Sequence, residues 1–125
     1  MRTILIVDDE FGSTDVLAAA LEDEGYRVFT ASNGKRGLER LAENKPDLVL
    51  LDFMMPLMNG AHMAAAMRED PAYRDIPIIM MSAVTEPAVR ERFSDYRVFL
   101  RKPFNMAALL DAIHGLLGPE DASQQ

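Results

Sequence analysis

Three aspartates in this chain could act on one phosphoryl group or one metal ion. Asp8 and Asp9 follow the apolar run Ile4-Leu5-Ile6-Val7, and Asp52 follows a second run, Leu48-Val49-Leu50-Leu51. Two more apolar runs end on polar groups: Ile78-Ile79-Met80-Met81 leads into Ser82, and Val98-Phe99-Leu100 into Arg101-Lys102-Pro103. In an open parallel sheet, ligands bind beyond the carboxyl ends of the strands where the strand order reverses. If these runs are such strands, carboxylates, a hydroxyl and an ammonium share one crevice.

In a strand order of 2-1-3-4-5 the first and third strands are neighbours, so their terminal carboxylates face each other. Three like charges there need a cation. A hard divalent ion that prefers oxygen ligands and keeps several waters fits, and Mg²⁺ is expected; zinc is disfavoured. His62 and His114 fall within helical patterns and away from strand ends, so they are assigned no function. With a cation in place, a phosphoryl group could be transferred to Asp52, because a carboxylate is a competent nucleophile once charge on the transferring oxygens is offset. Lys102 can supply the ammonium and Ser82 a hydroxyl donor to a phosphoryl oxygen. Phe99, three residues before Lys102, reads either as an aromatic that turns between inward and outward positions or as a core side chain.

The elements that position these groups alternate strand and helix along the chain. A helix is expected over about 13–24, with Leu17, Ala20 and Leu21 on its buried face and Gly25 as a left-handed stop. A strand follows over 27–31, then a turn at Asn33-Gly34 and a helix whose stripe is Leu38, Leu41 and Ala42. After Asn59-Gly60 comes a short helix containing Met63 and Met67, and then a strand over 76–81. Thr85-Glu86-Pro87 suggests a hydroxyl-capped helix to about residue 93. The last helix carries Met106, Leu109, Leu110, Ile113, Leu116 and Leu117 at three- and four-residue steps, capped by Asn105 and ended by Gly118-Pro119. The expectation is an α/β, flavodoxin-like, doubly wound sheet of five parallel strands in order 2-1-3-4-5 with five helices. It forms one domain over 1–118, followed by a short polar tail over 119–125.

Composition sets the outer bounds. A chain of 125 residues, 49% hydrophobic and 26% charged, is large enough for one packed core. A net charge of −7 disfavours direct contact with nucleic acid. The absence of cysteine excludes disulfides, thiolate metal sites and a cysteine nucleophile. Nine methionines read as adaptable core filling. No run is long enough to span a membrane and no signal segment precedes the first strand, so a cytoplasmic location is expected.

Taken together, Asp8-Asp9, the segment Asp52-Phe53-Met54-Met55-Pro56 followed by Gly60, Ser82, Phe99 and Lys102-Pro103 resemble the receiver domain of bacterial two-component response regulators, from Thr3 to about Leu117. The resemblance implies that Asp52 is the phosphoacceptor and that Mg²⁺ is held by Asp9, Asp52 and the backbone carbonyl of Met54, with Asp8 assisting through water. It implies a histidine kinase or phosphotransfer protein as phosphoryl donor, Ser82 and Phe99 as the switch pair, and a cis bond at Lys102-Pro103. The output would be a changed protein-binding face formed by the fourth helix, fifth strand and fifth helix. Such a domain holds a signal and is no enzyme beyond slow self-dephosphorylation.

The chain departs from the family before the fifth strand, where Asp95-Tyr96-Arg97 stands in place of the usual Gly-Ala pair, and the segment 82–102 is short. A truncated or mobile fourth helix is therefore expected. Phe99 also lacks the hydroxyl of the commoner tyrosine. A haloacid-dehalogenase-like phosphatase is the alternative from another class, but its second aspartate would fall at Met54, which has no acid to offer. A flavin phosphate would be repelled by the acids after the first strand. A degenerate receiver that only scaffolds partners is the remaining alternative.

Overall fold

A computed structural model describes residues 2–55 and 58–118. Pro56 and the expected tail over 119–125 lie outside the described residues. Five strands alternate with five helices in the order β1 (Thr3–Val7), α1 (Phe11–Asp23), β2 (Arg27–Ala31), α2 (Gly34–Glu43), β3 (Leu48–Asp52), α3 (Gly60–Glu69), β4 (Ile78–Ser82), α4 (Glu86–Arg90), β5 (Val98–Arg101) and α5 (Met106–Leu117). The strands form one parallel sheet in the order β2-β1-β3-β4-β5, as the sequence leads one to expect.

Strand periodicity of two divides the core between the faces. Leu5, Val7, Val49, Leu51, Ile78 and Met80 pack on one side with Leu41 of α2, Met63 and Met67 of α3 and Val89 of α4. Ile4, Ile6, Leu48, Leu50, Ile79 and Met81 pack on the other with Leu21 of α1 and Leu109 and Ile113 of α5. Because helices cover both faces, β3 and β4 are buried at every position, which explains their continuous apolar runs. Their registers align the functional ends: Val7 lies beside Leu51, Asp52 beside Met81 and Ser82 beside Arg101.

Local signals set most boundaries. Asn33, Asn59 and Asn105 each accept a backbone N–H three residues ahead and so cap α2, α3 and α5. Gly25 ends the α1 turn at φ 99°, a left-handed conformation that a side chain would strain. The structure differs from the expectations in several details. Helix α1 starts at Phe11 rather than about 13, and β4 runs over Ile78–Ser82 because Pro77 cannot donate to a strand ladder. Ala42 is exposed, so the buried stripe of α2 narrows to Leu41 with Leu38 beside it. Thr85 occupies the cap position of α4 without using its hydroxyl, and that helix spans only five residues: it stops short of residue 93 and is truncated, as the shortness of segment 82–102 leads one to expect. No helix among the described residues is long and apolar enough to cross a membrane.

Candidate functional site

The C-terminal ends of β1, β3, β4 and β5 meet at one edge of the sheet. The β1 terminus brings Asp8, whose buried carboxylate accepts the Glu10 backbone N–H, and next to it the exposed Asp9. Asp52 closes β3 with only 5% of its surface exposed. One carboxylate oxygen from each of Asp8, Asp9 and Asp52 lies within 4.8 Å of the others. Beyond Asp52, the Gly60 N–H donates to the Phe53 carbonyl. A Cβ on Gly60 would come within 2.5 Å of the Asp52 carbonyl oxygen, so glycine is what allows α3 to start this close to the strand end.

Lys102 reaches into the acids from the end of β5. Its ammonium lies 3.0 Å from Asp8, 3.5 Å from Asp52 and 3.6 Å from Glu10. The Lys102 N–H donates to the Ser82 carbonyl, and the Lys102-Pro103 bond is cis, as the resemblance implies. Ser82 is fully buried at the end of β4, where its Oγ accepts the Val84 N–H at 3.1 Å. Phe99 stands partly buried on β5, with its ring centroid 6.1 Å from that of Tyr96. Met54 sits at the rim with 59% of its surface exposed.

Electrostatics make this an acidic site short of positive charge. Burial is the main force that pushes the Asp52 carboxyl up from 3.8 to about 7; Lys102 opposes it, and the charges of Asp8 and Asp9 add to the rise. Burial pulls the Lys102 ammonium down, but its hydrogen bond to Asp8 and the charges of Asp52, Asp8 and Glu10 outweigh that and hold it above its ordinary value. One ammonium does not balance three clustered carboxylates. The donor set is all oxygen and close enough for one ion to bridge, which suits a hard divalent cation such as Mg²⁺.

The structure thus brings together Asp8, Asp9, Asp52, Lys102 and Ser82, while His62 and His114 lie exposed on α3 and α5. Two contacts were not foreseen. Glu10 pairs with Lys102, and its place directly after Asp9 was the available signal. Arg101 donates through Nε to the Ala83 carbonyl at 2.8 Å and ties the loop after Ser82 to β5, which no sequence spacing announces.

Comparison with known proteins agrees with this geometry. Residues 4–114 match the model of the response regulator receiver domain family. The chain is 36% identical over 126 residues to the phosphate regulon transcriptional regulatory protein PhoB of Pseudomonas aeruginosa, covering 97% of this chain and 55% of that protein. It is 34% identical over 119 residues to protein PilH of the same organism, covering 94% of this chain and 98% of PilH. Thus it spans about half of one relative and nearly all of another. Among solved structures it is similar to the response regulator TrrA of Thermotoga maritima in complex with Mg²⁺-BeF, at a TM-score of 0.85, 32% identity and coverage of 94% of this chain and 100% of that one. The chain therefore belongs to the response regulator receiver domains, the signalling phosphoacceptor modules of two-component systems.

Proposed function

We propose that Asp52 is the phosphoacceptor of this domain and that a histidine kinase or a histidine phosphotransfer protein is its donor. The observation that carries the reading is the buried Asp52 carboxylate, gathered with Asp8 and Asp9 on one side and 3.5 Å from the Lys102 ammonium on the other. An Asp52 oxygen attacks phosphorus, the phosphorus–nitrogen bond to the donor imidazole breaks, and the imidazole retains its electron pair and takes up a proton. Mg²⁺, when bound, would neutralise oxygens of the transferring group. Asp9, Asp52 and the Met54 backbone carbonyl would hold it, with Asp8 acting through water.

Lys102 offsets charge on the phosphoryl oxygens as they form, and it is held for that task by Asp8. Ser82 supplies a hydroxyl once it gives up the Val84 N–H. Phe99 follows inward, and the face made by α4, β5 and α5 changes shape for a downstream protein. A phosphoryl group can bias such a two-state element only through contacts that differ between the states, and Ser82 and Lys102 are where they differ. Water breaks the acyl phosphate slowly, which resets the signal. Direct nucleic-acid binding is no part of this role, and a cytoplasmic location suits it. A phosphatase of the haloacid-dehalogenase type is disfavoured because Met54 offers no proton to a leaving group.

Melting curves with and without Mg²⁺ and beryllofluoride, a phosphoryl mimic, on the parent and on Asp52→Ala test the reading. Metal is expected to stabilise the parent by about 2.7 kcal/mol at a hundredfold excess over Kd, through linkage to the folded state, and so to raise its melting temperature. The mimic should raise it further only where Asp52 is present. Identical responses of the two proteins would remove the phosphoacceptor assignment.

A further inference from the structure

The segment before β5 holds a cluster that phosphoryl chemistry does not use. The Tyr96 hydroxyl donates to the Glu86 carboxylate at 2.7 Å. Arg90, one turn along α4, pairs with the same carboxylate oxygen at 3.2 Å and stacks its guanidinium 5.2 Å above the Tyr96 ring. That ring lies 6.1 Å from Phe99 at an interplanar angle of 45°. A single side chain therefore touches both the first residue of α4 and the aromatic on β5. Burial first, then the hydrogen bond and charge of Glu86, push the Tyr96 phenol up to about 12, so the hydroxyl remains a donor at any physiological pH.

Resting on the phosphoacceptor reading above, we infer that Tyr96 is a positioning residue that holds the Ser82–Glu86 loop and Phe99 in the resting arrangement, through its hydroxyl bond to Glu86 and its ring contact with Phe99. Four peptide bonds separate Ser82 from Glu86, so the loop that must carry the Ser82 hydroxyl toward Asp52 is anchored at its far end by Tyr96. It is pinned near its start by the Val84 N–H on Ser82 Oγ and by Arg101 on the Ala83 carbonyl. An inward turn of Phe99 takes its ring away from Tyr96, and a shift of the loop pulls Glu86 from the phenol. Both movements break contacts that exist only at rest. Tyr96 thus opposes the phosphorylated state, and its removal favours that state. Five residues are too few for α4 to hold itself in place, so such a tie has an evident use in this chain.

The test is a titration with beryllofluoride at saturating Mg²⁺, followed by NMR of the Phe99 ring, on the parent, Tyr96→Phe, Glu86→Ala and the double variant. Tyr96→Phe keeps the ring and removes only the bond to Glu86. It is expected to lower the half-saturating beryllofluoride concentration about fivefold, the equivalent of about 1 kcal/mol. Glu86→Ala should do the same, and the double variant no more than either. A lowered melting temperature with unchanged half-saturation would make Tyr96 merely structural and overturn the inference, as would additive effects in the double variant. A parent that takes no beryllofluoride removes the phosphoacceptor reading and the lock with it. A parent that binds while both single variants match it removes the lock alone.

Discussion

Lys102 places its ammonium 3.0 Å from the buried carboxylate of Asp8, an ion pair that joins the end of β5 to the end of β1 across 94 residues of sequence. The same ammonium is farther from Asp52, at 3.5 Å, so at rest the lysine belongs to Asp8 first. This arrangement keeps the cation in the crevice while leaving it within reach of a phosphoryl group on Asp52.

Loss of that cation should separate its two roles. Lys102→Met leaves Asp8 and Asp52 buried without a positive partner, and breaking a buried pair by removing one member costs about 3–5 kcal/mol. Urea denaturation without metal is expected to show a loss at the lower end of that range, since 20% of the Lys102 side chain is exposed. Mg²⁺ should restore much of it, because the three carboxylates remain. Phosphorylation of Asp52 should stay slow even then, and a variant phosphorylated at the parental rate would take Lys102 out of the chemistry.

The raised Asp52 carboxyl gives stability a definite pH dependence. Its folded value is about 7 against 3.8 when unfolded, so across that window the folded state holds more proton than the unfolded state. Stability must then fall as pH rises from 4 toward 7, and this contribution levels off above about 7. Asp52→Asn removes the carboxylate and keeps the shape. It is expected to melt higher than the parent at pH 7 without metal, to flatten the slope between pH 5 and 7, and to gain less from Mg²⁺. Thermal melts across that range, with and without Mg²⁺, check all three.

Much of this was legible because strand and helix obey different periods. The runs ending at Val7, Leu51 and Met81 are apolar at every position because helices cover both sheet faces, and the polar residue after each run marks the functional edge. Asn105 caps α5 as expected, whereas Asn33, read with Gly34 as a turn, and Asn59 prove to be caps of helices that already begin at Gly34 and Gly60. What could not be read depends on distant partners. Nothing near Tyr96 indicates that its hydroxyl meets Glu86, and nothing near Arg101 points to the Ala83 carbonyl. The short fourth helix, by contrast, was legible, because the segment 82–102 leaves little room for it before β5; only its end at Arg90 rather than about residue 93 was not.

Gly60 should be intolerant of even one methyl group. A Cβ there would lie 2.5 Å from the Asp52 carbonyl oxygen and 2.9 Å from the Phe53 Cα, and both are backbone atoms that cannot rotate away. Gly60→Ala must push the start of α3 away from the end of β3, at a cost of about 1–3 kcal/mol as in other overpacked sites. Because the displaced peptide is that of the nucleophile, Mg²⁺ affinity should fall with stability. Gly12→Ala is the control, since a Cβ there meets nothing within 4 Å. Equal melting temperatures for the two variants would show that the approach of Gly60 to Asp52 is looser than these distances imply.

In the proposed switch, Ser82 serves the resting state and the signalling state through one oxygen. At rest its Oγ accepts the Val84 N–H, and it is fully buried, so Ser82→Ala leaves that N–H without its partner and should cost about 1 kcal/mol. The variant retains Asp8, Asp9, Asp52 and Lys102, so Mg²⁺ binding should be unchanged. Beryllofluoride should bind more weakly, because one donor to the mimic is gone, and Phe99 should stay outward when the site is filled. Ser82→Thr keeps the hydroxyl and is expected to recover the mimic's affinity if the loop accommodates the extra methyl. NMR of the Phe99 ring in the saturated variants tests the connection: an inward turn in Ser82→Ala would show that the aromatic does not take its position from the hydroxyl.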